Sequence, residues 1–271
     1  MVLTKKALVK TLVEKDTMFM HGKKIIVSGP PTDRVIRAFN NVRFYKTDMS
    51  GKCDSLHSST KNELTQLIGK PILWNNENQM TGNVMHLIGN NETEKLDSLK
   101  VLNNAFIIQK DSLSKNGFNQ MKGQNLFGKF EENKLKEVDI IKNAESIYYI
   151  YNDKNEFVGI RKSVCSRINL EMNENKIETM TGYKDTESNI YPDNEFPENA
   201  RKLRGFAWRG DERILSKENI FPEEELAIDA KVQIDAKKKA IESEKPMEIQ
   251  KETLEYDEKN PKPKDKTVKK L

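Results

Sequence analysis

From Phe19 onward, apolar residues tend to fall at every second position, the period of a β-strand whose successive side chains point to opposite faces. The alternation breaks at recurring places. Ala38-Phe39-Asn40-Asn41-Val42-Arg43-Phe44 lines up with Leu67-Ile68-Gly69-Lys70-Pro71-Ile72-Leu73. The same frame fits Val101 to Ile107 and Ile140 to Ser146. Each copy reads as an apolar pair, a polar or Gly pair, a small residue or Pro, then mostly apolar alternation. Asn and Gly tolerate positive φ, so the central pair predicts a corner. Turn-like stretches lie between the strand-like ones: Ser28–Asp33, Ser58–Asn62, Gly89–Thr93, Glu131–Asn133 and Asn173–Asn175. The predicted unit is strand, hairpin turn, strand, corner, strand.

Strict alternation puts Ile36, Ala38, Val42, Phe44, Leu67, Leu73, Leu99, Val101, Ala105, Ile107, Val138, Ile140 and Ala144 on one apolar face. The residue before each corner (Phe39, Ile68, Leu102, Ile141) is apolar too, although alternation points it outward. That predicts a bulge or a change of sheet at the corner.

A second repeat signal is Met-x-Gly: Met20-His21-Gly22, Met49-Ser50-Gly51, Met80-Thr81-Gly82 and Met121-Lys122-Gly123. Four copies occur where chance gives roughly half of one, so the chain is read as an internal repeat. A fifth, decayed unit follows, in which Cys165–Ile177 mirrors Gly123–Leu135. Stacked units predict an all-β, solenoid-like folded sheet of bent antiparallel strands, each repeat touching its neighbours. Residues 1–18 read as a lead-in, helix or strand. Residues 19–221 form the repeat domain, in which Ala200–Gly210 closes the ordered part as a basic strand or cap. Residues 222–271 form a charged tail. Pro222 with three glutamates predicts a helix to about Ser243, against the period-2 alternation of Leu226, Ile228, Ala230, Val232 and Ile234. Residues 245–271 read as disordered.

Composition narrows this picture. Over 271 residues, 36% are hydrophobic and 32% charged, which suits a thin or one-sided core. A net charge of +4 from 46 basic and 42 acidic residues gives no nucleic-acid footprint. No apolar run reaches the roughly 18 residues of a membrane span, and the lysine-broken start does not read as a secretory leader. Cys53 and Cys165 match no metal spacing; they read as buried thiols, or as a disulfide in an oxidising compartment. His21 and His86 fall at different offsets from their Met-x-Gly, so no shared ligand column is expected and no metal site is nominated. No phosphate loop, dinucleotide fingerprint or nucleophile elbow occurs, so neither a cofactor nor a catalytic residue is nominated. Arg209-Gly210-Asp211 reads as a turn in a salt-bridged cap.

Several of these segments carry a resemblance. They are Arg34–Phe44, Gly51–Leu56, Pro71–Trp74, Asn143–Tyr149 and Leu203–Leu215, the last including Arg204-Gly205-Phe206-Ala207-Trp208-Arg209-Gly210-Asp211-Glu212-Arg213. The chain resembles the OstA-like family, relatives of the lipopolysaccharide-transport protein LptA, over about residues 16–222. The resemblance implies a β-jellyroll, or β-taco, whose apolar interior shields lipid acyl chains. It implies a non-enzymatic, periplasmic, outer-membrane-associated carrier that joins other Lpt-type jellyrolls edge to edge. On that reading the apolar face is a lipid trough in which each buried methylene contributes about 0.8 kcal/mol. The same residues would also pack together as a closed core. Arg201, Lys202, Arg204 and Arg209 would meet headgroup phosphates, or form a solvated basic edge. The alternative readings are a β-solenoid acting on polysaccharides, for which no row of carboxylates and aromatics is visible, and a scaffold with a recruiting tail.

Overall fold

The computed structural model describes residues 1–243 apart from 14, 15, 76, 91, 94, 115, 174, 175 and 185. The expected disordered stretch over 245–271 lies outside the described residues. The chain divides into two units, Met1–Glu225 and Leu226–Leu271.

Among the described residues the first unit holds sixteen strands in one sheet. They are β1 (Val2–Thr4), β2 (Leu8–Val13), β3 (Asp16–His21), β4 (Lys24–Ser28), β5 (Val35–Lys46), β6 (Met49–Ser59), β7 (Leu64–Ile68) and β8 (Ile72–Asn75). Then come β9 (Asn78–Thr81), β10 (Val84–Asn90), β11 (Lys95–Lys110), β12 (Phe118–Glu131), β13 (Lys134–Tyr151), β14 (Phe157–Asn173), β15 (Lys176–Tyr183) and β16 (Glu187–Tyr191). All pairings are antiparallel.

The sheet is folded along a line crossing every rung. In the first leaf, β4, β7, β10 and β15 pair with one half of the long strands, and β1 pairs with β4. In the second, β3, β8, β9 and β16 pair with the other half, and β2 pairs with β3. The 1–18 stretch is therefore strand, and it supplies the first rungs of both leaves.

The fold line falls at the expected pairs. Asn40 and Asn41 have φ of 62° and 56°, Gly69 and Lys70 80° and 52°, Asn103 and Asn104 58° and 57°, Lys142 and Asn143 63° and 53°. Lys5 and Lys6, at 55° and 56°, form a further corner without Asn or Gly. Two left-handed residues on one strand face a single residue on the next. Phe39 pairs with Ser55 and Val42 with Cys53, leaving Asn40 and Asn41 opposite Asp54. The β11–β12 and β13–β14 pairs repeat this. The extra residue bends the strand, as in a β-bulge. Alternation holds up to the corner, so Phe39, Ile68, Leu102 and Ile141 face outward after all, and Ile68 is 42% exposed.

The strand register explains three of the four Met-x-Gly copies. Met20 pairs with Phe44, Met80 with Leu73 and Ile107, and Met121 with Ile107, all in one buried inward row. Their glycines reach the corner, where bulk is refused: a Cβ on Gly82 would stand 2.4 Å from Val101 Cγ1, and one on Gly123 2.6 Å from Ile140 Cγ2. The Met49 copy is out of register. Gly51 pairs with Phe44 and Leu73, in the methionine row. Cys165 pairs with Ala144 beside the fold line, so the fifth unit keeps the frame of Gly123.

After β16 the chain does not form a basic strand. Residues 192–221 form a strap with short turns at Asp193–Glu195, Glu198–Ala200, Gly210–Glu212 and Lys217–Ile220. It crosses the outer face of the second leaf. In the second unit, α1 (Glu223–Ser243), which begins at the end of the first, confirms the expected helix. Leu226, Ile228, Val232 and Ile234 are exposed on it, so their alternation reflects no buried face.

Candidate functional site

The inward row nearest the fold line in the first leaf runs Ile25, Ala38, Leu56, Leu67, Met85, Val101, Leu126, Ile140 and Ile168, each opposite the next. The second leaf opposes it with Met20, Phe44, Leu73, Met80, Ile107 and Met121. All thirteen residues expected on the apolar face belong to one buried cluster with these rows. None is more than 9% exposed. They pack against one another, so the interior is filled by its own side chains.

Toward the C-terminal end the second leaf changes character. Its inward row becomes Ser146, Ser163 and Ser188, with the last two hydroxyls 2.9 Å apart. The end strands keep free edges: among the described residues β1 pairs only with β4, β2 only with β3, and β15 and β16 only with β14.

The outer face of the second leaf holds a second apolar cluster, Phe106, Ile108, Ile147, Tyr149 and Ile160, closed by Phe196 and Leu203 of the strap. Phe118 packs against Phe206 and Trp208 at 5.2 and 5.4 Å. Two buried glutamines hold the strap's backbone. Gln79 Nε2 donates to the Ala207 carbonyl and its Oε1 accepts the Arg209 N–H, both at 2.7 Å. Gln120 treats Arg201 and Leu203 in the same way, at 2.7 and 2.9 Å. Both glutamines immediately precede a repeat methionine.

The strap's far end docks by charge. Glu212 meets Lys52 at 3.1 Å and Arg209, whose guanidinium holds the Glu212 carboxyl down to about 2, with Lys52 assisting. His21 is fully buried, with Nδ1 2.8 Å from the Ala7 carbonyl and Nε2 3.2 Å from a Glu225 oxygen. Phe221 packs edge-on to its ring at 4.8 Å.

The predicted basic cluster therefore lies outside the folded sheet, separated from the apolar interior by the second leaf. Arg201 pairs with Asp193 at 2.7 Å and Glu198 at 3.1 Å, and these partners raise its pKa. Arg209 pairs with Glu212, and the Lys202 ammonium sits 5.3 Å from the Phe206 ring centroid. Arg204 borders a groove of about 980 Å³ that the corner residues Asn104 and Lys142 also line.

Cys53 and Cys165 are free and buried. They stand on β6 and β14, rungs of the sheet too far apart for a disulfide. Burial pushes the Cys53 thiol up to about 12. His57 and His86 lie in one outward row, with Gln66 between them at 3.4 and 3.1 Å, so an amide separates the imidazoles. Among the described residues no group of three or more His, Cys, Asp or Glu side chains is placed to hold a metal. No described helix is long and apolar enough to cross a membrane.

No protein-family profile matches the chain, and no curated protein matches it. Among solved structures it is similar to LptH from Pseudomonas aeruginosa, described as the LptA homologous periplasmic component of the conserved lipopolysaccharide transport device. The identity is 13% and the TM-score 0.41, over 54% of this chain and 99% of that one. At that level the likeness adds nothing to what this chain's own residues say.

Proposed function

We propose that this protein is a non-enzymatic carrier that shields the acyl chains of lipopolysaccharide between its two leaves. The observation that carries the reading is the apolar interior, lined from both leaves and running from the first rungs to β15. Each methylene taken in would contribute about 0.8 kcal/mol with no directional contact, which suits passage along the interior. Because the interior is self-packed, entry requires the leaves to part. The resemblance to OstA-like proteins supplies the lipid's identity and the setting, a periplasmic site at the outer membrane. The free edges of β1, β2, β15 and β16 would accept strands of other Lpt-type jellyrolls.

The test is photocrosslinking to lipopolysaccharide. A benzophenone side chain at Phe44 or Ile107 should label the lipid, and one at Lys129, outside the first leaf, should not. Equal labelling from all three sites would defeat the proposal. The filled interior also supports a second reading, a scaffold whose core admits no ligand, and on that reading no site labels.

A further inference from the structure

A charged residue, Arg161, stands on the inward face of β14. Arg161 lies on β14 two positions from Ser163 and directly opposite Tyr148 on β13. It therefore shares the inward face with Ser146 and Ser163. Its Nη2 lies against the sulfur of Met180, a residue of β15 in the other leaf, so the guanidinium bridges the two leaves. Ser146 Oγ approaches the same sulfur at 3.9 Å. A thioether is a weak acceptor. Arg161 Nε is buried with no hydrogen-bond partner, and among the described residues no carboxylate pairs with this side chain.

A half-buried guanidinium whose Nη2 meets a thioether and whose Nε has no hydrogen-bond partner is costly to keep. Four other arginines, Arg167, Arg201, Arg209 and Arg213, each have a carboxylate within ion-pair distance. An oxyanion would repair the deficit. Guanidinium presents donors in a fork that fits a phosphate or carboxylate, and serine hydroxyls can donate to the remaining oxygens.

We infer that Arg161, with Ser146 and Ser163, forms an anion subsite inside the C-terminal end of the folded sheet, which takes the phosphate of an amphiphile whose chains lie along the apolar rows. This rests on the carrier reading and assigns it a headgroup site in place of the basic strap. The subsite sits where the inward lining turns from aliphatic to hydroxyl, so an amphiphile would find both of its parts matched in one direction only.

Binding of hexadecyl phosphate, hexadecanol and inorganic phosphate to the full chain tests this by calorimetry. The wild type should bind hexadecyl phosphate at least about tenfold more tightly than hexadecanol, a difference readily resolved. Arg161→Met should erase that preference and leave hexadecanol binding unchanged, with the fold checked by thermal melting. Ser163→Ala should weaken it in part. Tight binding of inorganic phosphate alone, lost in Arg161→Met, would assign the subsite to the free ion and overturn the amphiphile assignment. If both amphiphiles bind equally, the subsite is refuted while the carrier reading stands. If neither binds, the carrier reading fails with it.

Discussion

Gln120 holds the strap through the backbone of Leu203, accepting its N–H at 2.9 Å while donating to the Arg201 carbonyl at 2.7 Å. The amide thus behaves as one residue of a neighbouring strand. Gln120→Ala should strand both backbone groups, costing about 1–3 kcal/mol for a buried pair left unmade. Gln120→Glu keeps the shape but sets an acceptor against the Arg201 carbonyl, and should be at least as damaging. Hydrogen exchange at Leu203 reads the effect. Unchanged protection there in either variant would show that the strap is held by its apolar contacts alone.

The corner pairs give a second expectation. Asn103 is exposed and sits at φ 58°, a region that costs most residues roughly 1–2 kcal/mol. Asn103→Val should lower stability by about that amount, and Asn103→Gly should be near neutral. Denaturant midpoints at unchanged slope would measure it. A valine variant as stable as the glycine one would mean that the corner does not depend on left-handed backbone.

Much of this architecture was legible because two short signals carry it. The Asn-Asn, Gly-Lys and Lys-Asn pairs mark where φ turns positive, and the apolar alternation marks the inward rows. Lys5 and Lys6 gave no such signal, so the first rungs read as a lead-in. The strap was not legible, since residues 192–221 have no period and their anchors lie far away in sequence. Gln79 and Gln120 look like ordinary outward polar residues; only the folded sheet shows that they are buried under another segment. Arg161 was hidden for a related reason. A lone arginine in an alternating strand reads as solvent-facing until its register places it beside Ser163 and across from Tyr148.

Gly82 and Val101 should behave as a coupled pair. A methyl group at Gly82 would collide with Val101 Cγ1, so Gly82→Ala is expected to cost about 1–3 kcal/mol by overpacking. Val101→Ala removes the obstructing atom. The double variant should therefore be more stable than the sum of the single changes predicts, with a coupling above about 0.5 kcal/mol. Strict additivity in urea unfolding would show that the glycine is not placed there by this contact.

Acid should loosen the strap through Glu212. Arg209 and, secondarily, Lys52 hold its carboxyl at about 2, below its ordinary 4.5. A carboxylate depressed in the folded state contributes stability that is fully present above the unfolded value and fades as pH falls from about 4.5 toward 2. Glu212→Gln removes the charge at every pH. It should dock the strap less firmly at neutral pH and show a flatter response across that window. Trp208 sits on the strap against Phe118, so its fluorescence reports docking as pH is lowered. Asp16 and Glu218, also shifted downward, titrate in both proteins and cancel in the comparison. Parallel acid curves for the wild type and Glu212→Gln would show that this ion pair, although well formed, does not fasten the strap.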